Sequence, residues 1–323
     1  MIYDSTNASC VRQVWPLIFH ISPPYSSPLA FYHLPLTMTI DEARKEITKS
    51  IGNIYEQNEA GNIAELLIES ITKLSRSERI IKRRESLSSS QTELLHSSIF
   101  RLQEHEPLQY VINEAWFGSM KFYVDRNVLI PRPETEELVE WVAREVKSQT
   151  SKVKVLDVGT GSGCIAIALK SKLPNIEMWA CDVSDEALNI ARMNADALNA
   201  TIDFVPLNFL DPAQRKQLPG VDVIVSNPPY IPINEKPEMK RNVVEFEPST
   251  ALFVPDNDPL IFYKAISEFG REKLNKGGSI YTEVHEKLGE FVRKLFLSEG
   301  YRIIYLRQDL QGKDRMMKAL IDT

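Results

Sequence analysis

From Thr39 to about Glu106, apolar residues recur at helical spacing: Ile47, Ile51 and Ile54, then Ile63, Leu66, Leu67, Ile71 and Leu74. One stripe of each helix is therefore expected to be buried. Ser88-Ser89-Ser90 reads as a loop and cap, and Gln91 to Leu102 as another helix. Residues 38–106 thus predict a small helical domain. It carries no convergent set of acids, bases or ligands, so binding a partner and a purely structural role fit it equally. The period changes at Pro107. Gln109 to Ile112 and Lys121 to Val124 are rich in β-formers, with Gly118-Ser119 between them, which predicts a hairpin linking two domains over 107–130. Pro131-Arg132-Pro133 then opens a helix over Glu134 to Lys147, whose early proline and acids suit an N-terminus.

Beyond Val153, strand and helix patterns alternate. Strands are predicted at Val153–Val158, Ile176–Cys181, Thr201–Val205, Val221–Val225 and Gly278–Val284, and helices at Cys164–Leu173, Asp185–Leu198, Pro259–Leu274 and Leu288–Leu297. Such alternation implies an α/β domain over 131–323, with a mostly parallel sheet covered by helices on both faces. The last two β-like runs, Tyr301–Arg307 and Arg315–Ile321, are joined by a connection too short for parallel strands, so one antiparallel strand is expected.

The chain has 323 residues, 43% hydrophobic and 25% charged, so neither disorder nor a membrane class is favoured. No apolar run approaches the ~18 residues of a membrane-spanning helix. A net charge of −6 speaks against affinity built on phosphate neutralisation, and stable nucleic-acid binding is not expected. Lys82-Arg83-Arg84, flanked by Glu78 and Glu85, reads as a solvated helix face. The three cysteines and five histidines lack metal-type spacing, so no metal site is expected and a reducing compartment fits. In residues 1–37, Pro16 interrupts the apolar run Val14 to Phe19, which makes a poor secretory segment. Arg12 alone is too little for a mitochondrial presequence. This stretch reads as a disordered extension or a misassigned start, with Met38 the natural beginning.

Two motifs carry chemistry. Gly159-Thr160-Gly161-Ser162-Gly163 follows an apolar strand and opens a helix, where glycines turn the chain and let a ligand approach the backbone. The spacing departs from the dinucleotide fingerprint; an adenosylmethionine site, a dinucleotide site and a plain tight turn all remain open. Asp182, at the end of the next strand, is placed to accept hydrogen bonds from ribose hydroxyls, or else to cap a helix, although Ser184 could be that cap. Phe209 lies either beside adenine or in the core. The stronger signal is Asn227-Pro228-Pro229-Tyr230 after the strand Val221 to Val225, at the sheet edge where α/β enzymes place their sites. Two prolines stiffen this loop and leave its carbonyls free to accept. The Asn227 side-chain oxygen and the Pro228 carbonyl can each accept one hydrogen of a planar NH2 group, with the Tyr230 ring against its flat face. That restraint would hold the nitrogen for attack on a methylsulfonium.

These residues resemble the HemK/PrmC-type methyltransferases, which modify the glutamine of the Gly-Gly-Gln motif in peptide chain release factors. The likeness runs from about Met38 to the C-terminus. It includes Phe117-Gly118, Ile130-Pro131-Arg132-Pro133-Glu134-Thr135-Glu136, the glycine loop, Asn227 to Tyr230, and Phe246-Glu247-Pro248. The resemblance implies a seven-stranded class I (Rossmann-like) sheet with an antiparallel last strand, plus the N-terminal helical domain as a substrate-binding part. It implies S-adenosylmethionine as cofactor, held by Gly159, Thr160, Gly161, Ser162, Gly163, Asp182 and Asn227, and by Phe209 where related proteins often have tryptophan. It also implies contact of the substrate glutamine with Asn227, Pro228, Pro229 and Tyr230, a loop from Ile233 to Glu247 near the target peptide, and products N5-methylglutamine and S-adenosylhomocysteine. Asn-Pro-Pro-Tyr is shared with adenine-N6 DNA and RNA methyltransferases, which are the alternative; a catalytically silent scaffold is a second.

Overall fold

A computed structural model describes residues 38–147 and 153–321; the expectations for residues 1–37 fall outside it. The chain first forms α1 (Ile40–Ile51), α2 (Gln57–Thr72), α3 (Arg76–Ile81) and α4 (Ser89–Gln103). Three of these begin in capping boxes, Thr39 with Glu42, Ser75 with Glu78 and Ser88 with Gln91, which satisfy first-turn N–H groups. The apolar stripes of α1, α2 and α4 meet in one core that includes Ala43, Ile47, Ile51, Leu67, Leu95 and Leu102. Lys82-Arg83-Arg84 is not a helix face. It forms the turn after α3, because the Arg83 and Glu85 carbonyls accept the first N–H groups of α1.

The predicted strand at Gln109–Ile112 is instead a single helical turn, α5 (Leu108–Ile112). Arg101 donates to the Tyr110 and Val111 carbonyls, and Asn113 ends the turn at φ +53°, so the end of this segment is capped rather than paired in a ladder. The hairpin exists but is shorter, Ala115–Phe117 against Met120–Phe122, with Gly118 at φ +59°. Within α5, Tyr110 packs into the core of the large sheet and Val111 into the helical core, so this turn joins the two.

After α6 (Pro133–Val146) comes a seven-stranded sheet: β1 (Lys154–Val158), β2 (Glu177–Asp182), β3 (Asp203–Pro206), β4 (Val221–Ser226), β5 (Leu274–Glu283), β6 (Tyr301–Gln308) and β7 (Asp314–Ile321). Its order is β6-β7-β5-β4-β1-β2-β3, and β7 alone runs antiparallel, inserted between β5 and β6. The expected antiparallel last strand is thus present. Alternate side chains feed two cores. Val155, Val223 and Val225 face α6, α7 (Cys164–Lys172) and α8 (Asp185–Ala197), whereas Leu156, Val158 and Ile224 face the helices Ile261–Lys273 and Gly289–Ser298. Ile233–Glu247 holds two short helices, Ile233–Glu238 and Arg241–Phe246, where a bare loop was expected. Among the described residues, no helix is long and apolar enough to cross a membrane.

Candidate active site

Strand register brings the predicted residues together. Val158 of β1 lies opposite Cys181 of β2 and Ser226 of β4, so Gly159, Asp182 and Asn227 follow at the same level of the C-terminal edge. Ser226 strengthens this alignment by donating its hydroxyl to the Val158 carbonyl at 2.7 Å. The order around β1 makes this edge a topological switch point, where open α/β sheets bind ligands.

The glycine loop is shaped by its backbone. Gly159, Gly161 and Gly163 have φ of +74°, +54° and +83°, a region other residues enter at a cost. A Cβ on Gly159 or Gly161 would meet open space, while one on Gly163 would press on Ile167 and Ala191 at 3.0 and 3.2 Å. Gly163 therefore serves helix packing. The N–H groups of Gly159 and Thr160 both donate to the Cys181 carbonyl, and that of Gly161 to Asp182 Oδ2 at 2.9 Å. Thr160 and Ser162 are buried: the Thr160 hydroxyl donates to Asp157 Oδ2 at 2.7 Å, and the Ser162 carbonyl accepts from Asn194 Nδ2 at 2.9 Å. Asn194 also exchanges hydrogen bonds with the Tyr123 backbone, tying the chain after the hairpin to this loop.

Asp182 Oδ1 accepts from the Ser184 N–H, and the Ser184 hydroxyl caps α8 by accepting from the Ala187 N–H. Burial raises the Asp182 carboxyl above its usual range, against the pull of backbone donors. Asp157, fully buried, is pushed up to about 7 by desolvation, and its Oδ1 has no partner among the described residues. Open space over two glycines and a half-buried acid at the next strand end fit S-adenosylmethionine. Phe209 lies in the core, 5% exposed, edge-on to Phe269 at 5.4 Å and beneath the Arg215 guanidinium.

The Asn-Pro-Pro-Tyr loop is held by side chains from distant segments. Asn227 Nδ2 donates to Thr135 Oγ1 at 3.0 Å; the Thr135 hydroxyl donates to Glu283 Oε2 at 2.7 Å; the Tyr230 hydroxyl donates to Glu283 Oε1 at 2.8 Å. No described residue donates to Asn227 Oδ1 or the Pro228 carbonyl. Glu283, 2% exposed at the end of β5, is raised by burial, opposed by the two hydroxyls. The Tyr230 ring also meets His285 edge-on at 5.8 Å, beside a cavity of about 270 Å³ lined in part by Glu235, Met239 and Arg315. A larger cleft, about 700 Å³ along β3, touches none of the predicted residues. Glu247 accepts from the Ile130 N–H at 3.2 Å and from Arg132 at 2.6 Å, which fastens the strap before α6.

Thr135 and Glu283 were not singled out as site residues from sequence. Thr135 stood inside a family-specific stretch, and the only trace of Glu283 is an acid ending an apolar strand.

The sheet order, the glycine turn at its switch point and the aligned Asn-Pro-Pro-Tyr loop define a class I S-adenosylmethionine-dependent methyltransferase. Residues 42–112 match the family model of the PrmC N-terminal domain, and residues 135–245 that of the methyltransferase small domain. The chain is 39% identical over 284 residues to the release factor glutamine methyltransferase of Flavobacterium psychrophilum, spanning 87% of this chain and 99% of that one. It is 45% identical over 233 residues to the protein of the same name from Bacteroides thetaiotaomicron (72% and 82%), and 40% over 237 residues to that of Lactococcus lactis (73% and 85%). This chain belongs to the HemK/PrmC family of release factor glutamine methyltransferases.

Proposed function

We propose that this protein methylates the side-chain amide nitrogen (N5) of the glutamine in the Gly-Gly-Gln motif of peptide chain release factors, in the cytoplasm and without stable nucleic-acid binding. The observation that carries this reading is the orientation of Asn227: its Nδ2 is committed to Thr135, which leaves Oδ1 as an acceptor, and the carbonyl of the next residue, Pro228, takes no donor among the described residues. Two acceptors and no donor match the two hydrogens of a primary amide. S-adenosylmethionine, when bound, supplies an electrophilic methyl group on sulfonium sulfur. Gly159, Gly161 and Asp182 would hold it, at the strand ends level with Asn227.

An amide nitrogen is a weak nucleophile because its lone pair is delocalised into the carbonyl. Acceptors at Asn227 and Pro228 favour the positive charge that grows on nitrogen as the N–C bond forms and the S–C bond breaks, which is transition-state stabilisation by preset dipoles. The Tyr230 ring, anchored through its hydroxyl to Glu283, keeps the amide plane in place. One amide proton leaves to solvent, so no buried base is required. Residues 38–106 would dock the release factor.

Incubation with methyl-labelled S-adenosylmethionine and a release factor, wild type or with the motif Gln changed to Ala, tests the reading. The expected result is label on the wild-type glutamine alone, by peptide mass. Absence of label there, with transfer to adenine in DNA or RNA, would overturn it.

A further inference from the structure

We propose that Thr135 and Glu283 are positioning residues that fix which end of the Asn227 amide faces the substrate; this rests on the amide-methylating reading above. The two ends of an asparagine side chain are nearly equal in size, and a half-turn exchanges an acceptor for a donor. Presented with a substrate NH2 group, an outward Oδ1 captures it, and an outward Nδ2 sets donor against donor. Shape alone does not choose between these.

The hydrogen-bond chain behind Asn227 does choose. The Thr135 hydroxyl has one hydrogen, and it is spent on Glu283 Oε2 at 2.7 Å. Toward Asn227, 3.0 Å away, Thr135 Oγ1 is then left only as an acceptor, so Nδ2 must face it and Oδ1 must face out. Glu283 starts the chain: burial opposes its charge, the Thr135 and Tyr230 hydroxyls and the nearby Arg315 favour it, and the ionised carboxylate accepts and does not donate. Its second oxygen takes the Tyr230 hydroxyl at 2.8 Å, so one carboxylate aligns both walls of the amide site. Thr135 and Glu283 are each 2% exposed, which removes water as a competing partner. The three residues come from α6, β5 and the loop after β4, so none of this follows from the loop's own stiffness.

Substitutions at the two positions separate direction from bulk. Thr135→Val keeps the shape and removes the hydroxyl. Thr135→Ser restores it. Glu283→Gln keeps the shape and replaces one accepting oxygen with a donating NH2, so one of the two hydroxyls, Thr135 or Tyr230, loses its acceptor. Full-length proteins are assayed for kcat and KM on a release factor, for S-adenosylmethionine binding at equilibrium and for melting. The side-chain amide of Asn227 is observed by 15N NMR without substrate, its signal assigned from its absence in Asn227→Ala.

Thr135→Val is expected to lower kcat about 10- to 100-fold, the scale of one lost orienting hydrogen bond in a buried site, with smaller changes in KM and cofactor affinity. Thr135→Ser should recover most of that loss, and Glu283→Gln should fall with Thr135→Val. In the wild type, the NMR signal should report a hydrogen-bonded Nδ2 that Thr135→Val loses. A folded Thr135→Val enzyme with wild-type kcat, or a folded Thr135→Ser enzyme as poor as Thr135→Val, would overturn the proposal. Should Thr135→Val fail to fold, a folded Thr135→Ala enzyme with wild-type kcat would do the same. If the wild type methylates no release factor, the functional reading fails by itself, and an Asn227 Nδ2 without a hydrogen bond decides against the positioning chain independently.

Discussion

The two loops that meet at the sheet edge are built in opposite ways. The glycine loop takes its shape from three positive φ angles and from partners on the neighbouring strand or on α8, within 32 residues in sequence, and it turns Thr160 and Ser162 inward. The Asn-Pro-Pro-Tyr loop has no glycine. It takes its shape from two prolines and from supports 92 and 53 residues away, Thr135 and Glu283. A loop that offers its backbone can spend its side chains on holding itself. A loop that offers a side chain needs that side chain held from elsewhere, and the hold must fix polarity as well as position.

The largest test of this contrast is Asn227→Ala. It should lower kcat by about 10²- to 10³-fold, as for loss of one preset dipole at a reacting centre. Cofactor affinity should fall far less, as read by single-turnover transfer and equilibrium binding on the same protein; parallel losses would erase the distinction. Next come two alanine substitutions within the glycine loop. Gly163→Ala combines a left-handed φ with pressure on Ile167 and Ala191 and should cost about 2–4 kcal/mol of stability in denaturant unfolding. Gly161→Ala has space for its methyl, should cost about 1–2 kcal/mol for its left-handed φ, and should weaken cofactor binding more than Gly163→Ala does. If Gly163→Ala were the worse binder at equal stability, the division between packing and ligand glycines would be wrong.

A further test concerns Asp157. Burial, partly offset by the Thr160 hydroxyl, lifts its carboxyl to about 7, so between the ordinary carboxylate range and pH 7 the folded chain keeps a proton that the unfolded chain releases. Stability from this group therefore falls as pH rises through that window and is level above it. Asp157→Asn should flatten the slope, seen as a smaller decline in melting temperature from pH 5 to 7.5 than in the wild type; equal declines would remove Asp157 as its source.

The same contrast explains what the sequence made legible. Glycine spacing, strand periodicity and the short link between β6 and β7 are local, and they carried the sheet, its antiparallel strand and the place of both motifs. Gln109 to Ile112 misled because its β-rich composition says nothing of Arg101, which takes the carbonyls at the end of that turn. Phe209 remained open between ligand and core, and its packing on Phe269 and Arg215 became visible only with the helix Ile261–Lys273 and the turn before β4 in place. Thr135 and Glu283 lie 148 residues apart, and no spacing rule joins a threonine early in one helix to an acid ending a late strand.

The proposed chemistry requires that Asn227 Oδ1 receive an amide hydrogen. A crystal structure of this protein with S-adenosylhomocysteine and a peptide containing Gly-Gly-Gln measures that contact. The glutamine amide nitrogen should lie within hydrogen-bond distance of Asn227 Oδ1 and the Pro228 carbonyl, with Asn227 Nδ2 still on Thr135. A glutamine bound through its oxygen to Asn227 Nδ2, with the amide nitrogen turned away from both acceptors, would contradict it.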